Sequence, residues 1–280
     1  MRAPRFMSTS RNPYMSDNGP PRLQNSVVAF IDILGYADMV VGAATRSMSQ
    51  ALLRRLHDAL RKARAYVDPQ GLVENEKDSS ALRAFTDNIV IGYPIHDDAE
   101  SELGVAFSEL SLFQMTMSLE GFFIRGGIAI GHLYMDDIAV YGNGLIEAYK
   151  AETTLARDPR VVLAQSARKA VDKHIGYYGR TSHAPQNREL LKDSDGQYFL
   201  DYMGTLVGSE DVFLHELRLH KTRVEEKLTE HRSHPAIWSK YLWVANYHNY
   251  FCEHCPNVDD SGKVETKEFI VEPARIITRT

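Results

Sequence analysis

Residues 27–36 read VVAFIDILGY, and the interpretation of the whole chain turns on them. The first five are apolar, three of them β-branched, which predicts a buried strand. Asp32 then interrupts the run. A charge at the end of a buried strand is destabilising by several kcal/mol unless it is paired. The simplest role is a cap or turn, because a helix-like segment, DILGYADMVVGAA, follows. Gly35 permits a close approach of the backbone to something.

Further along, a second aspartate repeats the oddity. Residues 82–95, LRAFTDNIVIGYPI, alternate and turn β-branched, which predicts a hairpin around residues 86–88 with Asp87 at its tip. Between the two acids, residues 47–66 place Leu52, Leu53, Leu56, Leu60 and Ala63 on one stripe of an amphipathic helix. Residues 99–120 form a second helix with Leu103, Phe107, Leu110 and Phe113 on its apolar face. Residues 122–137, FFIRGGIAIGHLYMDD, read as a strand pair in which Gly126 and Gly127 mark a bulge or a close approach. A helix over 143–156 follows the glycine of VYGNG. Residues 160–174 add a strand and a helix, and 210–231 and 235–251 read as two long helices. This order predicts an α+β fold on an antiparallel-rich sheet with a helical C-terminal elaboration. The domains expected are a disordered or loosely attached arm over 1–22, in which Met7 and Met15 could be alternative starts, a core over 23–165, and a mainly helical extension over 166–280 packed on that core.

Composition narrows the class. The chain has 280 residues, 44% hydrophobic and 25% charged, with a net charge of −5. These values suit a soluble globular protein and give no basic footprint for nucleic acid, so an anionic substrate needs local cations or metal ions. Two cysteines, Cys252 and Cys255, exclude a disulfide framework and fit a reducing compartment. No apolar run is long enough to span a membrane and no apolar signal region opens the chain, so a cytoplasmic location is expected.

Two acids on neighbouring strands point to chemistry. Carboxylates brought together repel unless a cation lies between them. Hard cations such as magnesium and manganese take oxygen ligands, and magnesium commonly uses only one or two protein carboxylates beside phosphate oxygens. Two such ions can hold a nucleotide phosphate and activate an attacking hydroxyl.

Four motifs occur in order: AFIDILGY, RAFTDNIVIG, IRGGIAIGHLY and IAVYGNGLIEAYKAE. Together they resemble the class III nucleotidyl cyclases over roughly residues 26–165. The nearer resemblance is to the bacterial pyrimidine cyclases of the Pycsar antiphage system. The resemblance implies a ferredoxin-like, cyclase-type fold and conversion of UTP to 3′,5′-cyclic UMP, a messenger for a separate effector protein. CTP is the next candidate, then a purine nucleotide, then an inactive cyclase-like sensor domain. It also implies a two-metal site with Mn2+ or Mg2+, and a homodimer with its active sites at the interface.

Carried over by position, Asp32 and Asp87 are the metal-binding acids, with the Ile33 carbonyl as a backbone ligand. Leu34, Gly35 and Tyr36 offer N–H groups to the triphosphate at a helix start, and Arg125 lies near the phosphates. The base-reading lysine of the purine cyclases is replaced by Arg83, and their base-reading aspartate by Ala139. A guanidinium only donates, which suits a pyrimidine carbonyl. The transition-state asparagine falls on Ile146 and its arginine on Lys150. Lys150 can still neutralise phosphoryl charge, with Asn143, Arg157 and Arg160 as alternatives, while Glu147 orders the helix.

Other signals read as structural. CEHC at 252–255 with nearby His248 offers one knuckle where a structural zinc site needs two. The aromatic stripe WSKYLWVANYHNY packs a core or a dimer. His96 and His132 read as surface residues, and RRLHDALRKAR as a solvated or dimer-facing helix.

Overall fold

The computed structural model describes residues 12–16, 20–67, 78–180, 183–207, 210–255 and 258–266. Strands β1 (Gln24–Ile33), β2 (Ala81–Phe85), β3 (Asn88–Pro94) and β4 (Ile124–Met135) alternate with helices α1 (Tyr36–Gly42), α2 (Arg46–Val67) and α3 (Glu100–Leu119). Their spatial order, β2-β3-β1-β4, with every neighbouring pair antiparallel, is the ferredoxin-like arrangement. The expected α+β class and antiparallel-rich sheet are therefore observed.

The sheet continues past the core. β5 (Val140–Tyr141) folds back on β4, and α4 (Asn143–Leu155) leads to β6 (Val161–Leu163), parallel to β4. After α5 (Gln165–Ile175) and α6 (Gln186–Glu189), β7 (Leu190–Lys192) and β8 (Tyr198–Leu200) extend the sheet beyond β6. Helices α7 (Glu210–Glu230) and α8 (Pro235–His254) complete the fold. The segment after residue 165 is thus helical but also supplies two strands. Three-residue strands carry too little alternation to be read from sequence.

Alternation along the strands builds two cores. Val27, Ala29, Ile31 and Ile33 of β1 pack with α2, α3 and α5, while Val28 faces α4 and the C-terminal elements. β4 is one unbroken strand rather than a strand pair. Gly126 and Gly127 keep register with Ile31 and Phe30, so neither forms a bulge. Gly127 is a close approach: a Cβ there would lie 2.3 Å from the Ala148 carbonyl of α4.

The expected loose arm is different where it is described. Tyr14 is fully buried, with its hydroxyl 2.9 Å from Ser26, and the Asn12 amide donates to the Met135 carbonyl at 2.8 Å. An aromatic ring seated on β1 anchors this part of the arm; residues 1–11 and 17–19 lie outside the described residues.

Two buried networks bind the C-terminal layer. Arg160, 1% exposed, is clasped by Asp193 and Asp195 and lies 5.6 Å from the Trp243 ring centre. Both terminal nitrogens of this buried arginine are held by carboxylates, away from the acid pair. Arg157 is exposed.

The second network is a hydrogen-bond relay between α7 and α8. His248 Nε2 donates to the Gly262 carbonyl at 2.9 Å, because a carbonyl only accepts. Its Nδ1 therefore accepts from His220 Nδ1 at 2.9 Å, and His220 Nε2 accepts from the Tyr202 hydroxyl at 3.0 Å. Both imidazoles are buried and neutral. Burial holds the His220 pKa well below the usual value and lowers that of His248 to about 4. A group whose folded pKa is depressed contributes stability above its unfolded pKa and loses it as pH falls. The pair should thus be destabilising from about pH 6.5 downward, at about 1.4 kcal/mol per pH unit per histidine. Urea midpoints measured between pH 4.5 and 8 should show this slope, and a His220→Phe/His248→Met variant should lose it.

Candidate active site

The two acids meet because of strand register. Asp32 is the penultimate residue of β1 and pairs with Asn88, the first residue of β3. The two-residue turn Thr86–Asp87 closes the hairpin just beyond, and the Ile33 N–H donates to the Asp87 carbonyl at 3.1 Å. Thr86 has a φ of 56°, a conformation that disfavours a β-branched residue by about 1–3 kcal/mol. Its hydroxyl shares its proton between the Phe85 carbonyl at 2.6 Å and Asp87 Oδ1 at 2.7 Å, and the Asn88 amide donates to the same Asp87 oxygen at 3.2 Å. The turn therefore orients the Asp87 carboxylate.

Arg125 is the hub. It pairs with Asp32 across β1 and β4, and its Nε lies 2.9 Å from Asp32 Oδ2 and 2.8 Å from Glu152 Oε1. Alternation places Asp32, Asn88 and Arg125 on the face covered by α4. Glu152 comes from α4, where Gly144, Ala148 and Ala151 turn the same side to the sheet. Its side chain is 3% exposed. Burial raises the pKa of both Asp32 and Glu152; Arg125 opposes this in each, and Asp87 pushes Asp32 further up. Asp158 is raised by burial in the same way.

The other expected residues are placed differently. Gly35 has a φ of 74°, and a Cβ there would meet nothing within 4 Å, so the glycine answers to backbone conformation rather than to a close approach. The Leu34 N–H is spent on the Phe123 carbonyl at 2.9 Å, which removes Leu34 from the expected phosphate donors. Gly35 and Tyr36 remain at the start of α1, ahead of the first helical bond, from Met39 N–H to the Gly35 carbonyl.

Arg83 is not drawn to the acids. Its Nε donates to the Asp136 carbonyl at 2.7 Å, one terminal nitrogen to the Leu82 carbonyl at 2.9 Å, and the other pairs with Asp137. Asn143 opens α4 and accepts the His132 N–H at 2.7 Å, while Glu147 accepts the Ser166 N–H at 2.9 Å. Both tie α4 to its neighbours. Lys150 and Ile146 lie on the exposed side of α4, opposite Ala148 and Glu152, so Lys150 does not reach the acids within one chain.

Sequence reasoning missed Glu152 and Asn88. Glu152 was legible from its i, i+4, i+8 spacing with Gly144 and Ala148.

Among the described residues no three His, Cys, Asp or Glu side chains form a ligand group. Asp32 and Asp87 form a mutually repelling pair whose charge a cation relieves. Two carboxylates fit a magnesium or manganese ion whose other ligands are phosphate oxygens and water. Both cysteines are free thiols, and burial raises the Cys252 pKa to about 11.

No family model and no curated protein matches the chain. Among solved structures, the chain is similar to one described as the crystal structure of a class III adenylyl cyclase-like ATP-binding protein from Pseudomonas aeruginosa. The identity is 15%, the match covers 55% of this chain and 37% of that chain, and the TM-score is 0.43. Among the described residues no helix is long and apolar enough to cross a membrane.

Proposed function

We propose that this protein is a nucleotidyl cyclase that converts a nucleoside triphosphate, UTP first and CTP next, to its 3′,5′-cyclic monophosphate and pyrophosphate. The observation that carries the reading is the register that sets Asp32 beside Asp87 with Arg125 bridging to Glu152. The four ordered motifs support it. In the reaction, the ribose 3′-oxygen bonds to the α-phosphorus, the bond to the bridging β-phosphate oxygen breaks, and the hydroxyl proton leaves to solvent. A magnesium or manganese ion held by Asp32, the Ile33 carbonyl and Asp87 would supply Lewis-acid charge at the phosphates. Arg125, anchored through Nε, turns its remaining guanidinium donors to the phosphoryl oxygens.

Pyrimidine choice rests on Ala139, which replaces an acceptor for a purine, and on Arg83. The Asp137 that pairs with one terminal nitrogen of Arg83 has a 94% exposed side chain, so releasing that nitrogen to a base costs at most about 1 kcal/mol while Nε stays on the Asp136 carbonyl. A homodimer is part of the proposal. Phe85, Ile138, Tyr141 and Ile146 are 78%, 92%, 69% and 52% exposed; Phe85 pairs with Asn88 on the sheet face that α4 covers, and Ile146 is on α4 itself. Apolar exposure of that kind marks an interface. Lys150, on the outer side of α4, would then serve the partner's site. The messenger and antiphage role come from the motif resemblance. The outward Lys150 and apolar Ile146 favour one second reading, an inactive nucleotide-binding sensor.

A product assay decides between them. The full chain is mixed separately with ATP, GTP, CTP and UTP and manganese, and the products are resolved by chromatography and mass. One cyclic pyrimidine nucleotide is expected. A cyclic purine product overturns the base assignment, and no cyclic product from an intact dimer overturns the cyclase reading.

A further inference from the structure

Arg125 holds two carboxylates with one N–H. Its Nε lies 2.9 Å from Asp32 Oδ2 and 2.8 Å from Glu152 Oε1, but only the contact with Asp32 is aligned as a hydrogen bond. Glu152 Oε1 lies off the N–H direction and, buried, meets no hydrogen-bond donor among the described residues. The Nε of a guanidinium carries a single proton, so it serves one of the two acids fully at a time. A buried carboxylate oxygen without a donor is costly to keep. This one gains its donor when Asp32 releases the N–H.

Access ranks the two acids. The side chain of Asp32 is 15% exposed and that of Glu152 only 3%, so a cation arriving from solvent meets Asp32, beside Asp87, and not Glu152. Glu152 is also fixed in place. Gly127 lies two residues along β4 from Arg125, on the same face, and a Cβ there would stand 2.9 Å from the Glu152 nitrogen. The backbone of Glu152 is thus seated on the strand that carries Arg125.

We propose that Glu152 is the positioning residue that takes over the Arg125 Nε–H when Asp32 turns to a divalent cation. Asp32 gives up its bond to Arg125, the N–H swings to Glu152 Oε1, and the guanidinium stays charged and anchored. The proton remains on Nε throughout. Without Glu152, freeing Asp32 would leave a partly buried N–H with no acceptor, and that cost would oppose cation binding. The inference rests on the acid pair holding a cation, as the cyclase reading requires, and not on turnover.

The test uses the full chain without nucleotide. Bound Mn2+ is counted by electron paramagnetic resonance, and the Arg125 Nε–H is followed by heteronuclear NMR in a Mg2+ titration, its peak identified by its loss in Arg125→Lys. Glu152→Leu should weaken Mn2+ binding by about ten- to a hundredfold. Glu152→Gln removes the same charge but keeps an acceptor oxygen, so it should recover part of the loss. Glu152→Met is the second variant without an acceptor, and matched melting temperatures certify the fold. In the wild-type chain the Nε–H peak should shift with Mg2+ and stay slow to exchange with water; in Glu152→Leu the exchange should become fast. Wild-type Mn2+ affinity in Glu152→Leu, equal losses in the Leu and Gln variants, a peak that Mg2+ leaves unmoved, or no Mn2+ binding by the wild-type chain overturns the assignment. A chain that meets these expectations yet forms no cyclic product keeps the assignment and overturns the cyclase reading. A cyclising chain whose Mn2+ affinity is indifferent to Glu152 does the reverse.

Discussion

Asp87→Ala should lower cyclic-nucleotide formation by about a thousandfold or more while the protein stays folded. Among the described residues the side chain of Asp87 accepts bonds from Thr86 and Asn88 at a half-exposed turn, and its backbone carbonyl, which holds Ile33, survives the substitution. Stability should therefore change little. The loss falls on chemistry, because a single carboxylate remains to hold a cation against the phosphates. Asp87 also raises the pKa of Asp32, so the variant should ionise Asp32 more readily. Steady-state product formation, paired with a melting curve, is the measurement. A binding module would lose metal-assisted affinity but has no turnover to lose. Unchanged turnover in Asp87→Ala would remove the acid pair from the mechanism.

The second large effect is structural. Gly127→Val should destabilise the protein by about 3 kcal/mol or more and remove activity with it. A Cβ at Gly127 would stand 2.3 Å from the Ala148 carbonyl, 2.7 Å from the Ala151 Cβ and 2.9 Å from the Glu152 nitrogen. Two of these are backbone atoms, so the helix must move off the sheet. That shift carries Glu152 away from Arg125, and Arg125 loses half of its anchor. Against a total stability of about 5–15 kcal/mol, the loss is large. Gly104→Ala is the control. It lies inside α3 with nothing within 4 Å of the added carbon, and should be neutral or stabilising by about 0.5–1 kcal/mol. A urea titration of both variants checks the contrast. Equal midpoints for Gly127→Val and the wild type would mean that α4 does not need its close seat.

Much of the core was legible because its signals are local. The β-branched run at 27–31, the stripe of Leu52, Leu56 and Leu60, and the hairpin around Asp87 each repeat with the period of the element they form. α1, with no buried residue, and the short strands β7 and β8 have no such period. The described part of the arm has no local signal either. Polar composition suggested disorder, but a single buried ring, Tyr14, holds its described part to β1.

By itself the sequence determined which residues could carry chemistry: two acids ending apolar strands, an arginine beside two glycines, and four motifs in a fixed order. It also determined the alternation that turns Asp32 and Arg125 to one face. Tertiary structure decided which of those residues meet. Register brings Asp87 to Asp32, and the absence of a side chain at Gly127 brings Glu152 to Arg125. It also spent the Leu34 N–H on the Phe123 carbonyl and the terminal nitrogens of Arg160 on Asp193 and Asp195. Such long-range pairings depend on packing between elements distant in sequence, and no local period encodes them.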